Sequence, residues 1–204
     1  MKMTKTKTTL GTIRRLSFTA VAVGVALPLL ASSGCARRTA QPMDAYKMAA
    51  DAVHAVLAAD RGVYAKSVVE RLANEEKIIK ATEHWKDEHT LPLPAQMLRM
   101  SAEKSREKSA GVWYALISTW PINKQNGPKT PIEKAALEAL QVKPDQPYYA
   151  EETLRDTHYF TAVYSDPAVS KACIGCHNQH PDSPRHDFLL NETMGAVVVR
   201  LAMK

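Results

Sequence analysis

Apolar and polar positions recur along this chain with two different periods, and the change between them sets the expected fold class. From Met43 to about Leu72 the sequence is rich in alanine and free of proline. It carries Val53, Val56, Leu57, Val63, Tyr64, Val68 and Leu72 at helical spacing. These side chains fall within one wide stripe, with Tyr64 near its centre and His54 at its edge. The pattern predicts a long amphipathic helix. A shorter charged helix is expected over Glu75–Lys86, broken by Leu91-Pro92-Leu93-Pro94. A further helix is expected over Ala95–Ser109, with Met97, Leu98 and Met100 inward.

The period then changes. Gly111–Trp120 (GVWYALISTW), His158–Tyr164 (HYFTAVY) and Ala196–Leu201 (AVVVRL) are β-rich in composition. An Asn-Gly-Pro turn signal lies within 123–129. Thr130-Pro131-Ile132-Glu133 reads as a capping box with proline at the first helical position, so a helix should run to about Leu140. Helices come first, then strands with one inserted helix. That order predicts an α+β domain, an antiparallel sheet packed on one side by helices.

The first 35 residues stand apart. A polar, basic stretch precedes the apolar run Leu16–Ala31, which is about 16 residues long and too short for a membrane span of about 20. The run suits a signal-peptide core. Ala31-Ser32-Ser33-Gly34-Cys35 resembles a bacterial lipobox, with lipidation of Cys35 set against ordinary cleavage nearby. The mature protein is therefore expected in the periplasm or elsewhere outside the cytoplasm, with possible membrane attachment by a lipid on Cys35. Residues 1–35 read as the signal peptide, 36–42 as a linker, and 43–204 as a single domain. Charge adds one exclusion. The net charge of +6 comes mostly from Lys2, Lys5, Lys7, Arg14 and Arg15; without them 22 basic residues face 21 acidic ones, a balance of +1. Such a body lacks the electrostatic footprint of a nucleic-acid binder.

The chemistry lies in Cys173-Ile174-Gly175-Cys176-His177. CxxCH is the attachment pattern of a c-type haem. Two thiols three positions apart reach the two vinyl groups from one turn of chain, and the next residue sets an imidazole under the iron. Three other readings compete: a thiol–disulfide redox pair, half of a zinc site, and a plain disulfide. A redox pair would want a helix N-terminus after a strand. A structural zinc site needs four ligands, and no second cysteine pair exists.

The stretches DRGVYAKSVVERL, EHWKDEHTLPLPAQM, STWPINKQNGPKTPIEKAALEAL, YFTAVY and ACIGCHNQHPDSPRHDFLLNETMGAVVVRL resemble a bacterial family of single-haem c-type proteins with a PAS-like sensor domain. The likeness covers approximately Met43 to Leu201. It implies a PAS-like antiparallel sheet with a long N-terminal helix and one covalently bound haem in its cavity. It also implies Cys173 and Cys176 as thioether attachments and His177 as an axial iron ligand.

The second axial ligand is unknown: Tyr64 and His54 are the candidates, with Tyr64 otherwise a wall of the pocket, and an open or water-filled sixth site is the alternative. Arg185, beside His186, is a candidate partner for the haem propionates. His180 is too close in sequence to His177 to reach the opposite haem face. His84 and His89 sit in polar company, His158 begins a strand that could turn it inward, and Met97 and Met100 read as core filler. Two function classes remain: a sensor of redox state or of a small gaseous ligand acting through a partner, and a small electron-transfer cytochrome c meeting a redox partner protein. A peroxidase would need a distal acid–base pair, and the sequence identifies none.

Overall fold

The computed structural model describes residues 42–109 and 111–203, all within one unit, Thr39–Lys204. The expected signal peptide, Cys35 and the expected linker up to residue 41 lie outside the described residues. Helix α1 spans Pro42–Val63 and passes without a break into a π-helical segment, Tyr64–Glu75. Then follow β1 (Ala81–Thr82), α2 (Trp85–Glu88), β2 (Leu91–Pro92), α3 (Pro94–Lys108) and β3 (Val112–Ile117). The chain continues through α4 (Pro131–Val142), β4 (Tyr148–Leu154), β5 (Thr157–Pro167), α5 (Lys171–Gln179) and β6 (Thr193–Ala202).

The architecture is α+β. Its main sheet is antiparallel, with strand order β3-β6-β5-β4. The two longest strands sit at the centre and pair from Tyr159 opposite Ala202 to Pro167 opposite Thr193. At Gly195 the neighbouring strand comes so close that an added Cβ would overlap the carbonyl oxygen of Ile117, so only glycine fits there. Strand β4 has no counterpart among the expected elements. Its YYAEETL sequence is half polar because it lies at the sheet edge, where Glu151 and Thr153 face solvent.

Helices cover both faces of the sheet, and this corrects the one-sided packing expected above. On one face α1 and α3 pack over Tyr114, Phe160, Ala162, Val197 and Val199. On the other, α4 presses Ala136, Leu137 and Leu140 onto Ile117, Val163, Ala196 and Val198. Double coverage explains why β6 carries the apolar run Met194–Val199 before Arg200, rather than an alternating pattern. The α4 start is as expected: the Glu133 N–H donates to Thr130 Oγ1 at 3.1 Å, and the Thr130 N–H donates back to Glu133 Oε2 at 3.3 Å.

Two helical expectations fail. The charged helix over Glu75–Lys86 is absent: Lys77 takes a left-handed φ of 53°, and the chain forms the short β1–β2 bridge with only α2 helical nearby. No apolar stripe in that stretch gives a helix anything to bury. The expected stripe of α1 is also displaced, since Val56 and Val63 are 60% and 63% exposed. The face that packs on the sheet runs Met43, Tyr46, Ala50, Val53 and Leu57. Alanine at many flanking positions left two rotations of this helix equally apolar. Beyond Leu57 the inward positions are Arg61, Ala65, Val69 and Ala73, at four-residue steps along the widened π turns.

Candidate functional site

Helix α5 follows β5 after a three-residue link, with Ser170 at its N-cap position. Cys173, Cys176 and His177 occupy positions i, i+3 and i+4, which puts all three on one helical face. That face lines a cavity of about 1090 Å³ bounded by α5, the π segment, the start of α3 and strand β3. Val69 and Ala73 give it an apolar wall, and Arg61, Lys80, Arg99, Arg106 and Lys171 bring cations to it. Arg61 is ion-paired with Asp166; burial pulls its guanidinium pKa below the ordinary value, and nearby Cys173 opposes that shift.

His177 is held from behind. Its ring meets Phe188 edge-on, with centroids 5.8 Å apart and planes at 89°. Phe188 is 1% exposed, and Asn178 fixes its backbone twice: the Asn178 amide donates to the Phe188 carbonyl and accepts from the Phe188 N–H, both at 2.9 Å. Burial, then His180, lowers the pKa of His177, so the imidazole is neutral at neutral pH, the form that binds a metal. Its Nδ1 is buried with no hydrogen-bond partner. Buried polar atoms without partners are rare in native proteins, and this one sits on the side chain the motif marks as a ligand.

The chain belongs to the Tll0287-like family. The family's model matches residues 39–202, nearly all of the described domain. Among solved structures, the crystal structure of the cyanobacterial heme-protein Tll0287 aligns with a TM-score of 0.49 at 12% identity, over 81% of this chain and 98% of that one. No curated protein matches the chain.

The other sequence candidates do not converge on this family member's cavity. Tyr64 is half-buried, but its hydroxyl donates to the Pro92 carbonyl at 2.7 Å and the ring is not part of the cavity lining. His54 lies parallel to the Tyr164 ring at 3.9 Å and lines a different, smaller cavity. Arg185 is engaged by Asp187 and Glu192, each at 2.6 Å, with its guanidinium 4.4 Å from the centre of the Phe188 ring. It braces the loop behind His177 and does not line the cavity. His158 points out of the sheet, 2.7 Å from Glu151; His84 and His89 are exposed. His180 reaches the cavity rim, 3.6 Å from Glu83.

The competing readings of the cysteine pair separate here. Among the described residues no group of three or more His, Cys, Asp or Glu is placed to hold a metal ion, so nothing described supports the zinc reading. Cys173 does sit in the first turn of a helix after a strand, as a thiol–disulfide pair requires. Yet the Cys176 thiol, on a residue that is exposed overall, is pushed up first by burial of its cavity side and then by Glu83 and Cys173, the reverse of an activated thiol. Sequence reasoning missed Arg61, Asp166 and Phe188. Phe188 lay in plain view within CHNQHPDSPRHDF, whereas Arg61 and Asp166 are 105 positions apart and carry no local signal.

Proposed function

We propose that this protein holds one haem c, attached through Cys173 and Cys176 with His177 as an axial ligand of the iron. We further propose that it works outside the cytoplasm as a redox- or gas-sensing domain acting through a partner, and not as an enzyme. One observation carries the first part: two thiols and a neutral imidazole with an unpartnered Nδ1 share one helical face on a cavity of about 1090 Å³. Few small-molecule sites are that large, and a thiol pair acting alone needs no such space. The cations around the wall suit a ligand with two carboxylates. Tll0287, whose name the family carries, is described as a heme-protein, in keeping with this reading.

Bound haem would supply an iron that changes oxidation state and accepts small axial ligands. The chain's own residues do the rest. Phe188 and Asn178 hold the His177 ring in one orientation, and Arg61, steadied by Asp166, keeps a positive charge at the wall. The π segment carries Val69 and Ala73 on the cavity side. π-helical turns are rare and cluster at functional sites, so this is the element whose conformation a bound ligand would bias.

Whole-protein mass spectrometry after expression in a host that matures c-type cytochromes tests the attachment. One haem added, resistant to acid–acetone extraction and lost in Cys173→Ser/Cys176→Ser, is the expected result; a mass without haem overturns it. The exposure of Cys176 favours a second reading, an electron carrier with its cofactor edge at the solvent. Carbon monoxide titration of the reduced protein, with hydrogen exchange over 64–75, separates the two. A sensor binds the gas and changes its exchange there; a carrier does neither.

A further inference from the structure

The outer surface of α1, turned away from the sheet, is apolar where a surface helix is ordinarily polar. Every exposed residue between Asp44 and Asp60 except Lys47 is alanine, methionine or valine. The Lys47 ammonium is drawn inward to the Tyr149 ring, 4.7 Å from its centre. Met48, Val56 and Val63 stand 66%, 60% and 63% exposed. A helix that is apolar on all sides is one that is covered on all sides. Ala45, Ala49, Ala52, Val56, Ala59 and Val63 follow one another in steps of four and three, the heptad spacing of a seam that meets another helix. Gly62 lies on the flank of the same face, in line with Met48, and an added Cβ there would meet nothing within 4 Å. Glycine weakens a helix interior relative to alanine. No packing among the described residues requires it at this position, whereas the close approach of a second helix would.

We propose that this face pairs with the same face of a second copy of the chain, the two α1 helices lying antiparallel. In that direction the face is complementary to itself. With Ala52 of one copy opposite Val56 of the other, Ala45 comes opposite Val63 and Ala49 opposite Ala59. Each valine then fills the space left by an alanine. Beside the seam Met48 of one copy meets Gly62 of the other, again large on small. At both ends Asp44 comes level with Lys66 of the second copy, both exposed, and the pair attracts. A parallel pair would set Asp44 beside Asp44 and valine against valine, with gaps between the alanines. A membrane is the poorer match. Helices that lie on lipid carry lysine and arginine along their polar border and large apolar residues inward, whereas here Asp44 and Asp60 flank a face that is mostly alanine. The strip is about 28 Å long and no wider than a helix. That is smaller than a standard interface, so the association is weak, with a Kd on the order of 10–100 µM.

This pairing is independent of the haem reading. It is tested on the whole protein by sedimentation equilibrium from about 5 to 500 µM, a range that brackets the expected Kd. A thiol reductant keeps the exposed Cys176 from linking copies. A monomer–dimer equilibrium is expected. Ala52→Lys changes an exposed position to a residue that suits a helix. It should leave the far-ultraviolet spectrum and urea midpoint close to native and weaken association at least about tenfold, because the seam would then bury two ammonium groups. A charge exchange reads the direction: Asp44→Lys and Lys66→Asp should each weaken the dimer severalfold, and the double variant should regain it. A protein that stays monomeric throughout overturns the proposal. So does a dimer that Ala52→Lys leaves intact, which would seat it on another surface. A monomer that instead cosediments with vesicles of phosphatidylethanolamine and phosphatidylglycerol assigns the face to a membrane and overturns it too. Failure of the double variant to regain the dimer overturns the antiparallel direction.

Discussion

The two faces of the sheet handle charge in opposite ways. Under α4, Arg200 is 4% exposed in its side chain and is gripped by Glu133 at 2.8 Å and Glu152 at 2.7 Å. Thr161 donates to the same Glu152 oxygen at 2.8 Å, and the guanidinium lies 4.7 Å from the centre of the Trp113 ring. The charged groups of this network pair with one another, although Glu133, Trp113 and Ile117 also border the cysteine-lined cavity at one end. On the opposite face α1 seals the sheet only as far as Leu57. From Arg61 onward its inward residues turn small or charged, and the interior opens into the cysteine-lined cavity. One sheet thus carries a closed face that holds the fold and an open face free to hold a ligand.

Replacing the central arginine on each side should expose that difference most strongly. Arg200→Met leaves two buried carboxylates facing each other unpaired, and removal of one partner from a buried charge network costs about 3–5 kcal/mol. Arg61→Met breaks the pair with Asp166, whose side chain is 15% exposed on a cavity wall that water can reach. With Arg61 itself 12% exposed and Asp166 left beside a cavity that can hydrate it, the cost should be smaller than for Arg200, about 1–3 kcal/mol. Urea denaturation of both variants measures the two losses. Equal costs would mean that the open face is as sealed as the closed one.

Local signals wrote the closed face more legibly than the open one. The Thr130–Glu133 capping box fixes the start of α4 within four residues, and the same Glu133 then reaches Arg200, 67 positions away; the first role reads from sequence and the second does not. CxxCH is legible for the same reason, since its chemistry fits inside one turn of chain. The cavity around it is assembled from the π segment, α3, β3 and α5. Nothing in YAKSVVERLANE distinguishes a π turn from an α turn, because the choice depends on what packs against it. The expected stripe on α1 failed where alanine made the faces alike, and β4 went unread because an edge strand tolerates polar residues.

Tyr64 gives a finer test of where the open face ends. Its hydroxyl donates to the Pro92 carbonyl, tying the first π turn to the strand that leads into α3. Tyr64→Phe removes that bond and keeps the ring, for a loss of about 1 kcal/mol. Absorption spectra and haem stoichiometry should stay unchanged, because the ring is not among the cavity residues. A shifted haem spectrum would place Tyr64 on the cavity after all and enlarge the open face by a turn.

The smallest expected effect belongs to His54, at the seam between the second cavity and the core. Burial holds its folded-state pKa below the ordinary histidine value, Arg61 adds to this, and Asp51 opposes it. In the unfolded chain the imidazole titrates near about 6.5. Below that pH the unfolded state binds the proton more readily, so stability rises with pH across the window and falls on acidification. The neutral ring's contribution is complete above the unfolded value and is lost as pH drops toward the folded one. His54→Phe keeps the stack on Tyr164 and deletes the titration. Urea midpoints of the two proteins, compared between pH 7.5 and 5, should therefore change by different amounts as pH falls, with the native protein losing more. A constant gap across that range would show that His54 keeps the same proton affinity folded as unfolded, and that this part of α1 is as open to water as the cavity beyond Arg61.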